Sequence, residues 1–238
     1  MTAKEVLRSK VKEAWEAWST PLIEKHQDPE RVGTPRGAPV GLSKKKYRAA
    51  LAQVLHNRSK LFTLSGLEEI SGVSSIQNRV WRTEPEFRKA VEKAKEDFVD
   101  YLSNEAMESW HDELRLDLLL YLLSMQEDGL IKLFFKWNKE ARQILDKIEI
   151  DRNAMANYEY LLDNMSFFVI FMRKFIEVHS ADEKARVKNV IMRDLWPYIH
   201  KVSNFIIEII GNRETQDDVK KVGKKILNVI MLANWDAM

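Results

Sequence analysis

The sequence predicts an all-α protein in which an N-terminal helix-turn-helix domain is followed by a multi-helix bundle. Three observations carry that expectation. Apolar residues recur at helical spacing along almost the whole chain, and no stretch reads as a convincing strand. Glycine (8) and proline (6) are scarce among 238 residues. Several helix starts are written as capping boxes, in which a Ser or Thr and a Glu or Gln three residues later satisfy reciprocal backbone donors.

In chain order, Leu7, Val11, Ala14, Trp15 and Trp18 fall on one stripe, so an amphipathic helix is expected from 3 to 19 or beyond, within an N-terminal segment 1–26. Such a helix needs a partner surface. Residues 27–42 hold three prolines and three glycines and read as a linker. Its Pro35-Arg36-Gly37-Ala38-Pro39 core has one central arginine, and is read as plain linker over a minor-groove hook. From Ser43 to about Asn57 a helix carries Tyr47, Leu51, Val54 and Leu55 inward. Capping boxes follow at Ser65 with Glu68, Ser74 with Gln77, Thr83 with Glu86 (Pro85 in the first turn), and Ser180 with Glu183. The first three starts lie about nine residues apart, which leaves room for two very short helices before a long one.

After Thr83 the pattern runs to about Asp128, where Gly129 offers a stop. Further helices are expected at 130–148, 152–178, 181–210 and 214–235, with Pro197 bending the third of these four. Leu114, Leu118, Tyr121, Leu122 and Met125 form one broad stripe, while Phe167, Phe168, Ile170, Phe171 and Phe175 are apolar nearly all round. A segment greasy on every side must be enclosed, by its own domain or by another subunit. The expected domains are therefore 1–26, 27–42, a DNA-binding domain 43–83 and a helical oligomerisation domain 84–238.

Charge is unevenly placed. The net value is only +2, yet Arg31 to Phe62 holds eight basic residues and no acidic one, leaving the remainder net acidic. Without cysteine there are no disulfides or thiolate metal sites, and a reducing, cytoplasmic setting is expected. The first eight residues alternate charge with apolar groups, unlike a secretory signal. The dense apolar stretches, Leu118 to Leu123 and Phe167 to Met172, fall far short of the roughly 20 residues that span a bilayer, so no membrane partner is expected.

Residues 67–82 fit two short helices and a tight turn. Gly72 stands where φ > 0 is needed, Val73 plugs the turn and Ser74 starts the second helix. At about 100° per residue, Val73, Ile76 and Val80 share one side of that helix, and Ser75, Asn78, Arg79 and Arg82 share the other. The second set suits base reading: Arg takes two guanine acceptors, Asn pairs with adenine, and Ser bonds phosphate or base. Trp81, at the edge, packs against the domain. Lys44, Lys45, Lys46, Arg48, Arg58 and Lys60 are the expected phosphate contacts, giving affinity that is salt-sensitive and indifferent to sequence.

Gly72-Val73-Ser74, followed by Trp81-Arg82-Thr83-Glu84-Pro85-Glu86-Phe87, resembles phage-encoded helix-turn-helix proteins, small terminase subunits among them, over residues 45 to 100. The resemblance implies a protein that recognises viral double-stranded DNA for packaging, forms homo-oligomeric rings through later helices, and hands DNA to a separate ATP-driven motor. Its recognition positions here are Ser75, Asn78, Arg79 and Arg82. The architecture is also similar to tetracycline-repressor-like regulators, which dimerise through C-terminal helices and bind a small ligand among them. A third expectation is a DNA-independent helical scaffold whose basic segment meets an acidic partner.

Enzymatic signatures are missing. No Gly-x-x-x-x-Gly-Lys-Ser/Thr loop occurs. Glu108 and His111 make a single Glu-x-x-His pair where a di-iron bundle needs two, and read as a solvated helix face. His26, His56, His179 and His200 lie far apart, and no nucleophile elbow is present. No catalytic activity, cofactor or metal is expected.

Overall fold

In a computed structural model, residues 2–28, 41–56, 61–178 and 181–233 are described. Ten α-helices and one 3-10 turn account for their regular structure, with no strand among them. The fold is all-α. The chain divides into two compact units, Met1–Asn104 with Tyr121–Gly129, and Glu105–Leu120 with Leu130–Met238. The first unit thus takes in both the N-terminal helix and most of the helix that follows residue 84.

In the first unit, α1 (Ala3–Lys25) opens with a complete Thr2–Glu5 capping box. Val11, Trp15 and Trp18 are buried, as the stripe requires. The partner surface is α2 (Lys44–Ala52) with the 3-10 turn Gln53–Leu55. The Trp15 indole N–H donates to the Leu51 carbonyl (3.1 Å), and Trp18 meets Phe98 with ring centroids 4.7 Å apart. Burying each such aromatic contributes about 1.5–3 kcal/mol, and the indole bond fixes the register. At the far end of α1 the His26 ring stacks on Tyr47 (4.1 Å) and bonds the Leu42 carbonyl (2.8 Å). The start of α2 is capped twice, by Ser43 on the Lys46 N–H (3.3 Å) and by the Asp28 carboxylate on the Lys44 N–H. Residues 29–40, the centre of the expected linker with Arg31 and Arg36, lie outside the described residues, as do 57–60.

Next come α3 (Gly66–Ser71), α4 (Ser75–Trp81) and α5 (Pro85–Glu108). Of the expected capping boxes, Ser74 does cap α4, accepting the Gln77 N–H at 3.3 Å. Ser65 does not cap α3: it has already turned helical, and the Thr63 hydroxyl receives the Gly66 N–H at 3.2 Å. Thr83 points backward, donating to the Val80 carbonyl at 2.7 Å. Ser180 lies outside the described residues.

The long helix expected to reach Asp128 is broken. After α5 the chain turns at Ser109–Asp112 and restarts as α6 (Glu113–Ser124), with Asp112 accepting the Arg115 N–H at 3.1 Å. His111 therefore sits in a turn, and the supposed helical Glu-x-x-His face does not exist. The restart also resets the helical phase: Leu116, Leu119, Leu120, Leu122 and Leu123 are buried, while Leu114, assigned to the stripe, is 74% exposed. Gly129 begins a helix instead of ending one, because a Cβ there would lie 2.2 Å from the Leu123 carbonyl oxygen.

The second unit holds α7 (Gly129–Ile150, assigned from Leu130), α8 (Met155–Val178), α9 (Ala181–Gly211) and α10 (Asp217–Leu232). Its centre is aromatic. Trp137 stacks on Phe168 (4.0 Å), meets Tyr198 edge-on (5.9 Å, 88°) and donates to the Asn164 carbonyl at 2.8 Å. Phe167, Phe168 and Phe171 are buried and Ile170 is half-buried, whereas the Phe175 side chain lies outside those described. Along the α9–α10 seam, Gly223 lets Ile206 and Ile210 come within 3.3 Å of where a Cβ would stand. No described helix is long and apolar enough to cross a membrane.

Candidate nucleic-acid interface

The segment from α2 to α5 is built by reciprocal contacts between polar side chains and helix ends. Gly72 adopts φ 68°, a left-handed conformation that costs glycine nothing, and its N–H returns to the Glu68 carbonyl at 2.9 Å. The Ser71 hydroxyl receives the Val73 N–H (3.2 Å), which closes the turn. The Glu68 carboxylate reaches across to the Ser75 N–H at the start of α4. That bond, followed by one from the Ser75 hydroxyl, holds the Glu68 carboxyl below the ordinary carboxylate range. Glu68, expected to complete a capping box with Ser65, instead joins α3 to α4. From α2, the Arg48 guanidinium donates twice to the Ile70 carbonyl (3.2 and 2.9 Å), satisfying the C-terminal end of α3.

Beneath the turn lie Ala49, Ala50, Val73 and Phe87, with Leu42, Trp81, Ala90 and Val91 around them. Val73 is the apolar plug its position implies, and Trp81 packs against the domain. Asn78 is wholly buried. Its amide donates to the Val73 carbonyl (3.4 Å) and accepts from Gln53 Nε2 (3.4 Å). Gln53, 3% exposed, in turn receives the Arg82 Nε–H at 3.0 Å and a second bond from the same guanidinium.

This relay rotates α4 relative to the expected orientation. Asn78 cannot read a base, since both ends of its amide are spent inside the domain. Arg82 is half-buried and tied to Gln53, so it too is withdrawn from the outer face. Ser75 is half-buried with Glu68 on it. Conversely Ile76 and Val80, expected to face the core, are 74% and 57% exposed. Of the four expected base readers only Arg79 stands fully outward, beside Gln77, for which no such role was foreseen. The cause is physical: with Trp81 and Val73 already filling the apolar space, the remaining inward position of a seven-residue helix is set by hydrogen bonding to Gln53.

The expected phosphate contacts divide similarly. Lys44 and Lys45 are exposed on the first turn of α2. Lys46 is engaged: its ammonium pairs with Glu84 and lies 5.4 Å from the centre of the Trp81 ring. Arg48 remains solvent-accessible, but its guanidinium is committed to α3. Arg58 and Lys60 lie outside the described residues. Because Lys46 touches Trp81, the first turn of α2 adjoins the C-terminal end of α4, and Lys44 and Lys45 belong to that same turn.

A separate cleft of about 320 Å³ in the second unit is lined by Arg142, Leu145, Asp146, Pro197, Tyr198 and Lys201. Arg142 lies 5.8 Å from the Tyr198 ring centre, and among the described residues the buried Tyr198 hydroxyl has no hydrogen-bond partner. Desolvation raises that phenol well above its ordinary pKa. No group of three or more His, Asp or Glu side chains among the described residues is arranged to hold a metal. Comparison with protein-family models, curated proteins and solved structures finds no match to this chain.

Proposed function

We propose that the first unit binds double-stranded DNA, with α4 as the base-reading helix, and that the chain is a non-enzymatic, sequence-recognising protein of phage or mobile-element type. One observation supports this above the others: the outer face of α4 presents Arg79 and Gln77 beside the bare side chains of Ile76 and Val80. Guanine offers two acceptors to an arginine, adenine a donor and an acceptor to a glutamine, and thymine a methyl group to an apolar side chain. This face can read all three. The helix that bears it is pinned by Ser74 and Glu68 at one end and by Asn78 within, so the readers start from a fixed geometry. Lys44 and Lys45 supply the sequence-independent charge.

The resemblance of 72–74 and 81–87 to small terminase subunits extends this reading to a homo-oligomer that marks DNA for a separate packaging motor. A second reading, a ligand-responsive regulator, is favoured by the cleft beside Tyr198 in the second unit. Native mass separates them: a ring of many subunits accords with packaging, a dimer carrying extra small-molecule mass with regulation.

Selection of duplexes from a randomised pool, at low and high salt, tests DNA recognition directly. The wild type is expected to enrich a motif, and Arg79→Ala to lose about 1–3 kcal/mol of discrimination at one guanine while keeping the fold. Absence of binding even at low salt refutes the proposal and leaves the helical scaffold.

A further inference from the structure

Arg82, withdrawn from the outer face of α4, opens onto a cleft of about 290 Å³ in the same unit. Gln53, His56, Arg88, Glu92 and Lys95 line it with Arg82. Arg88, Glu92 and Lys95 recur at four- and three-residue spacing on one face of α5, so they form a single wall. Opposite them the buried Gln53 holds the Arg82 guanidinium through two bonds, and Gln53 is itself anchored by Asn78. The guanidinium is partly desolvated, which lowers its pKa, and among the described residues no carboxylate lies within ion-pair distance of it. The single acid of the cleft, Glu92, is already paired with Lys95 at 2.9 Å. His56 has one ring nitrogen 3.3 Å from the Phe62 carbonyl.

A cation drawn out of water and given only a neutral amide gains most when an anion arrives, since both its lost hydration and its lost counter-charge are then replaced. Arg88 adds a second guanidinium with no carboxylate in ion-pair distance among the described residues, while the Lys95 ammonium is held by Glu92. Two planar forks lining one small cleft, beside the apolar Phe87 and Val91, match a tetrahedral oxyanion.

We propose that this cleft is a phosphate-group receptor, with Arg82 as its preorganised centre and Arg88 as its outer arm. Two sources share that chemistry: a backbone phosphate of bound duplex, an assignment that rests on the DNA-binding reading, and a free phosphate or phosphomonoester, which does not. Because the cleft adjoins the C-terminal end of α4, a duplex read by that helix has phosphates nearby, and the backbone is the source the placement favours.

The experiment uses the full chain and the variant Arg88→Gln, whose change falls on the exposed face of α5 and spares the buried relay. In the duplex arm, the dependence of log K on log salt is measured. One phosphate contact contributes about 0.9 to the slope, so the variant is expected to lose up to about 0.9 with its preferred sequence unchanged. In the phosphate arm, inorganic phosphate is titrated at constant ionic strength while the Arg82 Nε–H and His56 ring resonances are followed. A saturable shift, lost in the variant, is expected. A lowered slope supports the backbone source. An unchanged slope with a saturable shift assigns the site to free phosphate. If the wild type binds no duplex, the DNA reading falls while the phosphate arm still decides the receptor. No slope change together with no saturable shift overturns the proposal.

Discussion

Replacing Asn78 with alanine separates a reader of bases from a strut of the fold. The side chain is wholly buried and makes two hydrogen bonds, to the Val73 carbonyl and from Gln53, each 3.4 Å long. Truncation strands both partners inside the domain. Leaving a buried polar group unsatisfied costs about 1–3 kcal/mol, and bonds this long belong at the lower end, so the total is about 2 kcal/mol. Because the chain has two compact units, a single global melting curve is a poor gauge of this loss. Amide exchange read by mass spectrometry on peptides from α2 to α4 is local, and a loss of about 2 kcal/mol appears there as exchange roughly thirtyfold faster. Gln53 also loses its anchor, so Arg82 is expected to become more mobile in the same variant. Protection changed by less than about threefold, with altered base preference, would falsify the buried-relay account and restore Asn78 to the DNA surface.

Three other outcomes follow from particular contacts. Glu68 is held below the ordinary carboxylate range by the Ser75 amide; a depressed pKa contributes stability above the unfolded value near 4.5 and loses it as pH falls through the folded value. Exchange of the Ser75 amide is therefore expected to quicken on acidification below about pH 4.5 in the wild type, beyond the intrinsic pH dependence, and Glu68→Gln is expected to abolish that extra response. Gly129→Ala places a methyl against the Leu123 carbonyl oxygen, which cannot move alone, and is expected to cost about 1–3 kcal/mol, read as faster amide exchange in peptides around residues 123–130; unchanged protection there refutes the close approach. The Tyr158 hydroxyl donates to the Arg152 carbonyl at 2.9 Å and burial pushes its pKa up to about 12, whereas the Tyr198 hydroxyl has no partner among the described residues. Tyr158→Phe should cost about 1 kcal/mol and Tyr198→Phe almost nothing, so equal losses of amide-exchange protection in peptides from α8 and α9 argue against a bare Tyr198 hydroxyl.

Where a helix is long and one-sided, its inner face was readable from spacing alone. Val11, Trp15 and Trp18 share a stripe on a helix of 23 residues, and all three are buried. Gly72 and Ser74 were readable for a different reason, since a left-handed turn and a helix start each favour residue types for local stereochemical causes. The exposed face of α4 was not readable. With only seven residues and three apolar ones, its periodicity carries little weight, and the inferred phase put Ile76 and Val80 inside. The break at Ser109–Asp112 was equally hidden, because no proline or glycine marks it.

What the sequence determined by itself was part of what neighbours in the chain decide: helical class, the amphipathic first helix, the Gly72 turn and the cap at Ser74. Tertiary structure decided which polar groups are sheltered. Gln53 and Asn78 are 25 residues apart, and Gln53 and Arg82 are 29 apart, so no local pattern records that they bond. A buried amide needs partners wherever in the chain they come from, and meeting that need turned α4 so that Arg79 faces water and Arg82 faces the cleft.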